Sequence, residues 1–364
     1  MTLILTVIAI ALVFEFINGF HDTANSIATV VATKVLTPRQ AIVLAAFTNL
    51  AGALWGTAVA QTIASGLVDA QVVTTQVLLC ALWGAVVWNL ITWWFGMPSS
   101  SSHALVGGLC GGCLAAAHNN WSVIIWSKAS PQHWWLGGGV LWKVVMPMIT
   151  SPIAGLIIGF LVMGVLYFLL RHWRPRSVNA VFGKAQLFSA ASMGFMHGTN
   201  DAQKTMGIIA LALLAATQAG TFDHLPAWLS FLHTPAPAAG QSLEIAVWIK
   251  ALCALTMASG TAVGGWRIIK TLGHKMVKLY PVNGFAAETS SAFVIWVATQ
   301  LGIPVSTTHN ISAAIMGVGA AKRFNAIRWS VVERMVWAWI LTIPVSGALA
   351  YVFVELMRLL GWIK

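Results

Sequence analysis

Gly19-Phe20-His21-Asp22-Thr23-Ala24-Asn25-Ser26 lies inside one apolar stretch, and Gly198-Thr199-Asn200-Asp201-Ala202-Gln203-Lys204-Thr205 lies inside another. Asp22 and Asp201 stand 179 residues apart. A second pair of motifs follows in the same order: Gly96-Met97-Pro98-Ser99-Ser100-Ser101-Ser102-His103 and Gly302-Ile303-Pro304-Val305-Ser306-Thr307-Thr308-His309. Here His103 and His309 are 206 residues apart. Two unlike polar motifs that recur in one order mark an internal duplication. The longer second offset fits longer connections around 218–243 and 264–284.

The sequence around these motifs belongs in a bilayer. Of the 364 residues, 58% are hydrophobic and 8% are charged, where a soluble domain carries about 25% charged residues. The net charge of +11 comes from Lys and Arg scattered over short connections, which excludes a nucleic-acid stripe and fits the positive-inside rule. Apolar stretches near the spanning length of about 20 residues occur at 1–31, 40–62, 74–95, 99–117 and 139–170, then at 187–217, 244–263, 285–301, 304–321 and 329–360. Basic residues put 171–186, 264–280 and 322–328 in the cytoplasm, and the acidic connections 63–73 and 218–243 outside. Five crossings per half follow. An odd number inverts the second half relative to the first. The expected fold is therefore an all-α polytopic membrane protein with an inverted-topology repeat. Its first repeat is 1–170, its basic cytoplasmic linker 171–186, and its second repeat 187–364. The start Met1–Ile17 lacks a basic n-region, so no cleavable signal peptide is expected. Cys110 and Cys113 sit in a Gly-rich run with no second pair, which reads as helix packing rather than a metal or redox site.

The motifs set the chemistry. An ionised carboxylate at membrane depth costs about 2.5–3.5 kcal/mol on insertion scales, so two at matched positions beside Asn25 and Asn200 point to a site. Carboxylate and amide oxygens suit a small hard cation or a proton. The glycines and short polar side chains are expected to interrupt both helices there, since irregular backbone at membrane depth must line an enclosed cavity. Pro98 and Pro304 break the chain, and the hydroxyls and N–H groups that follow make a nest for an oxyanion. A Ser102/His103 nucleophile is excluded: the motif is duplicated, lacks the G-x-S-x-G elbow, and neighbours on a helix do not face one another. A transporter, not an enzyme, is expected. His103 and His309 are expected to hold their loops by hydrogen bonds, with proton relay as the alternative. His21 and His197 stand beside the carboxylates, where a protonation role is open. Lys204 either snorkels or places a fixed cation at the site. Glu288 either lines the pathway or caps a helix, and Glu15 is a further intramembrane carboxylate.

The pairs GFHDTANS/GTNDAQKT and PSSSSH/PVSTTH resemble the signatures of the inorganic phosphate transporter (PiT) family over nearly the whole chain. The resemblance implies a symporter of inorganic phosphate in the cell inner membrane, working by alternating access with H⁺ or Na⁺ as coupling cation and no other cofactor. It implies ion binding at Asp22, Asn25, Asn200 and Asp201, with Na⁺ at Asp22/Asn25/Asp201. It implies phosphate held by the loop hydroxyls of Ser101, Ser102, Thr307 and Thr308, and the residues of this sequence add Lys204, Thr23 and Thr199 to the expected phosphate site. A metal–phosphate cargo and a homodimer are compatible with it, and a sulfate permease of the same family is the alternative. The short 171–186 segment points to a prokaryotic member. Two departures bear on the coupling ion: His21 stands where the family pattern has Asn, and Gln203-Lys204 replaces an Ala-Asn pair. Phosphate is favoured over sulfate because it still carries a proton that carboxylates can accept.

Overall fold

The computed structural model describes residues 1–129, 137–237 and 242–363. Part of the expected outer connection, 238–241, therefore lies outside the described residues. Among the described residues twelve α-helices follow in order: α1 (Thr2–Ala32), α2 (Pro38–Ala53), α3 (Ala58–Ser65), α4 (Thr75–Trp94), α5 (Ser101–Ala116), α6 (Met146–Leu170), α7 (Pro175–Gln218), α8 (Val247–Val263), α9 (Trp266–Lys270), α10 (Pro281–Gln300), α11 (Thr307–Lys322) and α12 (Trp329–Leu359). The only β pairing among the described residues is two isolated bridges, Val68–Ile124 and Lys128–Gly138. The order repeats: α1 to α6 correspond one by one to α7 to α12. Residues 175–186 of the basic linker are already helix, the start of α7.

The expected interruption at the two aspartates is absent. Both α1 and α7 run unbroken through them. Thr23 donates its hydroxyl to the Gly19 carbonyl, and Thr199 donates to Phe195 O at 2.7 Å. Such back-bonding keeps short polar side chains inside a helix. The glycines serve crossings instead. A Cβ on Gly19 would fall 2.4 Å from Met257 O, and one on Gly260 2.1 Å from Phe16 O. The matched crossing has Gly198 against Asn49 O at 2.2 Å and Gly52 against Phe195 O at 2.0 Å. Small residues thus let α1 cross α8, and α7 cross α2, backbone to backbone.

The breaks lie in the partners of these helices. The α2–α3 pair bends by 70° and the α8–α9 pair by 59°. Gly56, at φ +79°, and Gly264, at φ +76°, occupy the two bends, a left-handed conformation that side-chain-bearing residues resist.

The five crossings per half also need correction. Four helical segments, Thr2–Ala32, Thr75–Trp94, Leu141–Leu170 and Trp329–Leu359, are each long and apolar enough to span, or six if each bent pair counts as one. Helices α5 and α11 have 16 residues each, about 24 Å at 1.5 Å per residue, short of a hydrocarbon core of about 30 Å. They return beside α4 and α10 as helical hairpins. The base of the first is tied where Asp69 N donates to Val123 O at 2.8 Å and Ile125 N to Leu67 O at 3.0 Å. The base of the second brings Lys322 of α11 within 5.6 Å of the Tyr280 ring that precedes α10. The first base carries Asp69 and Lys128, and the second carries Lys278, Lys322 and Arg323. Both tips are buried, from Ser99 to His103 and from Ser306 to Asn310. The halves interlock, with α6 packed along α11 and α12 along α5.

Candidate functional site

The hairpin tips meet between α1 and α7. Each tip begins a helix with the same cap: Ser100 Oγ accepts from His103 N, and Ser306 Oγ from His309 N, both at 3.2 Å. The N-termini of α5 and α11 thereby converge on one place, each with its unbonded N–H groups and the positive end of its dipole. Ser102 Oγ lies 3.5 Å from Val305 O across the junction.

Asp22 and Asp201 sit there, 2% and 1% exposed. Thr308 donates to Asp22 Oδ1 at 3.1 Å, and Thr307 to Asp201 Oδ2 at 2.9 Å. Asn25 Nδ2 donates to both threonines, at 3.1 and 2.9 Å, so one short chain of bonds joins the two carboxylates. His21 Nδ1 is 2.9 Å from Asp22 Oδ1, and His197 Nε2 is 3.0 Å from Asp201 Oδ2. Lys204, 2% exposed, donates to Ser102 Oγ, to Asp201 Oδ1 and, at 2.9 Å, to Val305 O. It is a fixed cation at the tips, not a snorkelling lysine. Asn25 Oδ1 and Asn200 Oδ1 are buried acceptors without a donor, and Ser101 Oγ is a buried hydroxyl without a partner. Asp22, His197 and Asp201 each offer an atom within 4.8 Å of the others, a set that could ligate a cation.

This arrangement can hold a small oxyanion and a cation together: helix N-termini and an ammonium on one side, carboxylate and amide oxygens on the other. A sequence model described as the phosphate transporter family matches residues 18–350. The chain belongs to the phosphate transporter family. Within that family it is 41% identical over 362 residues to a "Probable low-affinity inorganic phosphate transporter" of Bacillus subtilis (strain 168), covering 98% of each chain. It is 42% identical to a protein of the same description from Rhizobium meliloti (strain 1021), covering 98% of this chain and 97% of the relative. A solved structure described as "The sodium-dependent phosphate transporter" superposes with a TM-score of 0.79 at 23% identity, covering 99% of this chain and 100% of that one. At that identity the likeness speaks for the fold.

Within this member of the phosphate transporter family, the residues singled out from sequence separate into three groups. Asp22, Asn25, Asp201, Lys204, Ser101, Ser102, Thr307, Thr308, His21 and His197 come together at the tips. Asn200 stands beside them, its amide donating to Thr299 Oγ1 at 2.8 Å and Ile303 O at 3.2 Å. Thr23 and Thr199 are set apart, with their hydroxyl protons committed to their own helices. The imidazoles of His103 and His309 do not hold the loops by hydrogen bonds. His103 Nδ1 and both ring nitrogens of His309 are unpartnered. The rings pack together at 4.8 Å between centroids, and His309 stacks on Trp339 at 4.2 Å. Glu288 is not a cap, because it lies inside α10. It accepts from Thr29, from Ser189 and, at 3.1 Å, from Gln186 Nε2, away from the tips. Glu15 accepts from Thr205.

Sequence reasoning assigned no role to the supporting layer and did not single out Thr92, Asn49 or Thr261. Thr92 Oγ1 lies 3.2 Å from His21 Nε2, and Ser99 donates to that threonine at 2.8 Å. Asn49 Oδ1 lies 3.1 Å from His197 Nδ1, and its amide donates to Thr261 at 3.1 Å. Gln203 Oε1 accepts from Val59 N at 2.8 Å at the α2–α3 bend. A single amide inside an apolar helix was the available signal.

Proposed function

We propose that this protein is a symporter of inorganic phosphate in the cytoplasmic membrane, working by alternating access. The observation that carries the reading is the convergence of the two hairpin-tip helix N-termini on Lys204, between two matched carboxylates. The anion is met by the N-termini, the ammonium and the Ser101 hydroxyl. Asp22 and Asp201 accept the P–OH proton, which sulfate lacks at neutral pH. Because each hairpin is anchored at its own face, moving one tip away from the other exposes the site to one side at a time.

We propose protons as the coupling ion, since Lys204 already supplies the positive charge that a bound Na⁺ brings. A second reading rests on the donor-free amide oxygens of Asn25 and Asn200: with Asp22, they can hold Na⁺, and a relative in fold is described as sodium-dependent. The Asp22, His197 and Asp201 set would hold the cation of a metal–phosphate cargo.

Proteoliposomes with imposed gradients separate these readings. Labelled phosphate should accumulate under an inward proton gradient, stop when a protonophore collapses it, and be indifferent to a Na⁺ gradient. Equal accumulation of labelled sulfate would overturn the assignment of phosphate.

A further inference from the structure

Two cavities adjoin at the end of the molecule that the Lys and Arg distribution turns toward the cytoplasm. The first, of about 300 Å³, lies at the base of the second hairpin, and four of its walls are Lys278, Lys322, Arg323 and Arg328. No carboxylate lines it, and none of the four cations is ion-paired among the described residues. Lys278 Nζ and Lys322 Nζ face the same Tyr280 ring, at 5.8 and 5.6 Å from its centroid. The second cavity, of about 500 Å³, runs between α6, α7 and α10, and its walls include Met163, Tyr167, Leu170, Val178 and Val282. Tyr280, Asn283 and Lys322 line both cavities, so the basic pocket continues into the apolar groove.

We infer that this composite site binds one anionic phospholipid, its phosphate diester among Lys278, Lys322 and Arg323 and an acyl chain along Tyr167, Leu170 and Val178. Charge and polarity select that occupant. An unneutralised basic pocket attracts any phosphate ester, but a soluble one has no use for an apolar groove opening from the same wall. A zwitterionic lipid fits the groove and adds its own cation to an already cationic pocket. Basic pockets between helices on the cytoplasmic side are suited to anionic head groups. Lipid seated here would brace the base of the hairpin whose tip carries Thr307 and Thr308.

Native mass spectrometry of the full chain, titrated with phosphatidylglycerol, tests the inference. Lys278→Gln/Lys322→Gln should lower retention of phosphatidylglycerol about tenfold, equivalent to about 1.4 kcal/mol. Tyr167→Glu, which puts a charge at an exposed point of the groove, should lower it too. Lys322→Arg and Lys184→Gln, the latter the loss of one charge on the exposed start of α7, should leave retention unchanged. Glycerol phosphate in excess should not displace the lipid. Equal retention of phosphatidylcholine, equal loss with Lys184→Gln, or displacement by glycerol phosphate would each overturn the inference. Tyr167→Glu and Lys322→Arg carry the test by themselves where the double variant does not fold.

Discussion

Lys204 concentrates the electrostatics of the site in one side chain. Its ammonium holds Asp201 on α7, Ser102 on one tip and the Val305 carbonyl on the other. Lys204→Asn restores the residue type found at the matched position, Asn25, but leaves Asp201 without its ammonium. Breaking a buried ion pair from one side costs about 3–5 kcal/mol. The variant should therefore melt at lower temperature in detergent and lose proton-driven uptake. Adding Asp201→Asn should recover stability but not transport, because the uncompensated charge is gone. A double-mutant cycle on the melting data measures that coupling, and additive effects would contradict it. The hydroxyls give a second prediction. Thr307→Val and Thr308→Val each remove the donor that a buried carboxylate accepts. Each should cost about 1–3 kcal/mol in the satisfaction of that carboxylate and weaken phosphate binding in calorimetry, and unchanged binding in both would show that the anion site does not depend on these bonds. The principal members of this cluster were legible in the sequence because charged and hydroxyl residues are conspicuous in apolar segments. The partnerships of His103, His309, Thr23 and Thr199 were not. A hydroxyl or imidazole has several competing partners, and only packing decides between the helix's own carbonyl, a neighbouring ring and a ligand.

Helices α1 and α7 place the carboxylates, and their crossings with α8 and α2 fix where they sit. At each crossing a glycine on one helix meets backbone on the other. Gly260→Val inserts a branched side chain where even a Cβ would reach within 2.1 Å of Phe16 O. Overpacking of that kind costs about 1–3 kcal/mol or more, and α1 must shift to relieve it. Gly183→Ala, where a Cβ meets nothing within 4 Å, is the matched control. Thermal melts should separate the two variants clearly. Equal melting temperatures would show that the close crossing is not a constraint. The same crossings explain why the motif helices were misread as broken. Glycine beside small polar residues reads as a break in one dimension, while in the folded chain it is the space another helix occupies. The actual breaks, at Gly56 and Gly264, lie outside the conspicuous motifs. They were hidden because a bend inside an apolar stretch leaves its hydropathy unchanged.

At the scale of the molecule, the duplication was visible as two motif pairs in one order, and the helices repeat in that order. The number of crossings was not visible, since a re-entrant hairpin and two spans share length and apolarity. Burial of the Pro-containing tips distinguishes them. The interlocked halves then give the functional claim its shape: two carboxylates on matched helices, one enclosed site, and neither sufficient alone. The most direct measurement is uptake of labelled phosphate by proteoliposomes holding Asp22→Asn or Asp201→Asn, each checked for wild-type elution. The account predicts that each variant abolishes uptake while remaining folded. Wild-type uptake by either one would contradict a site built from both halves.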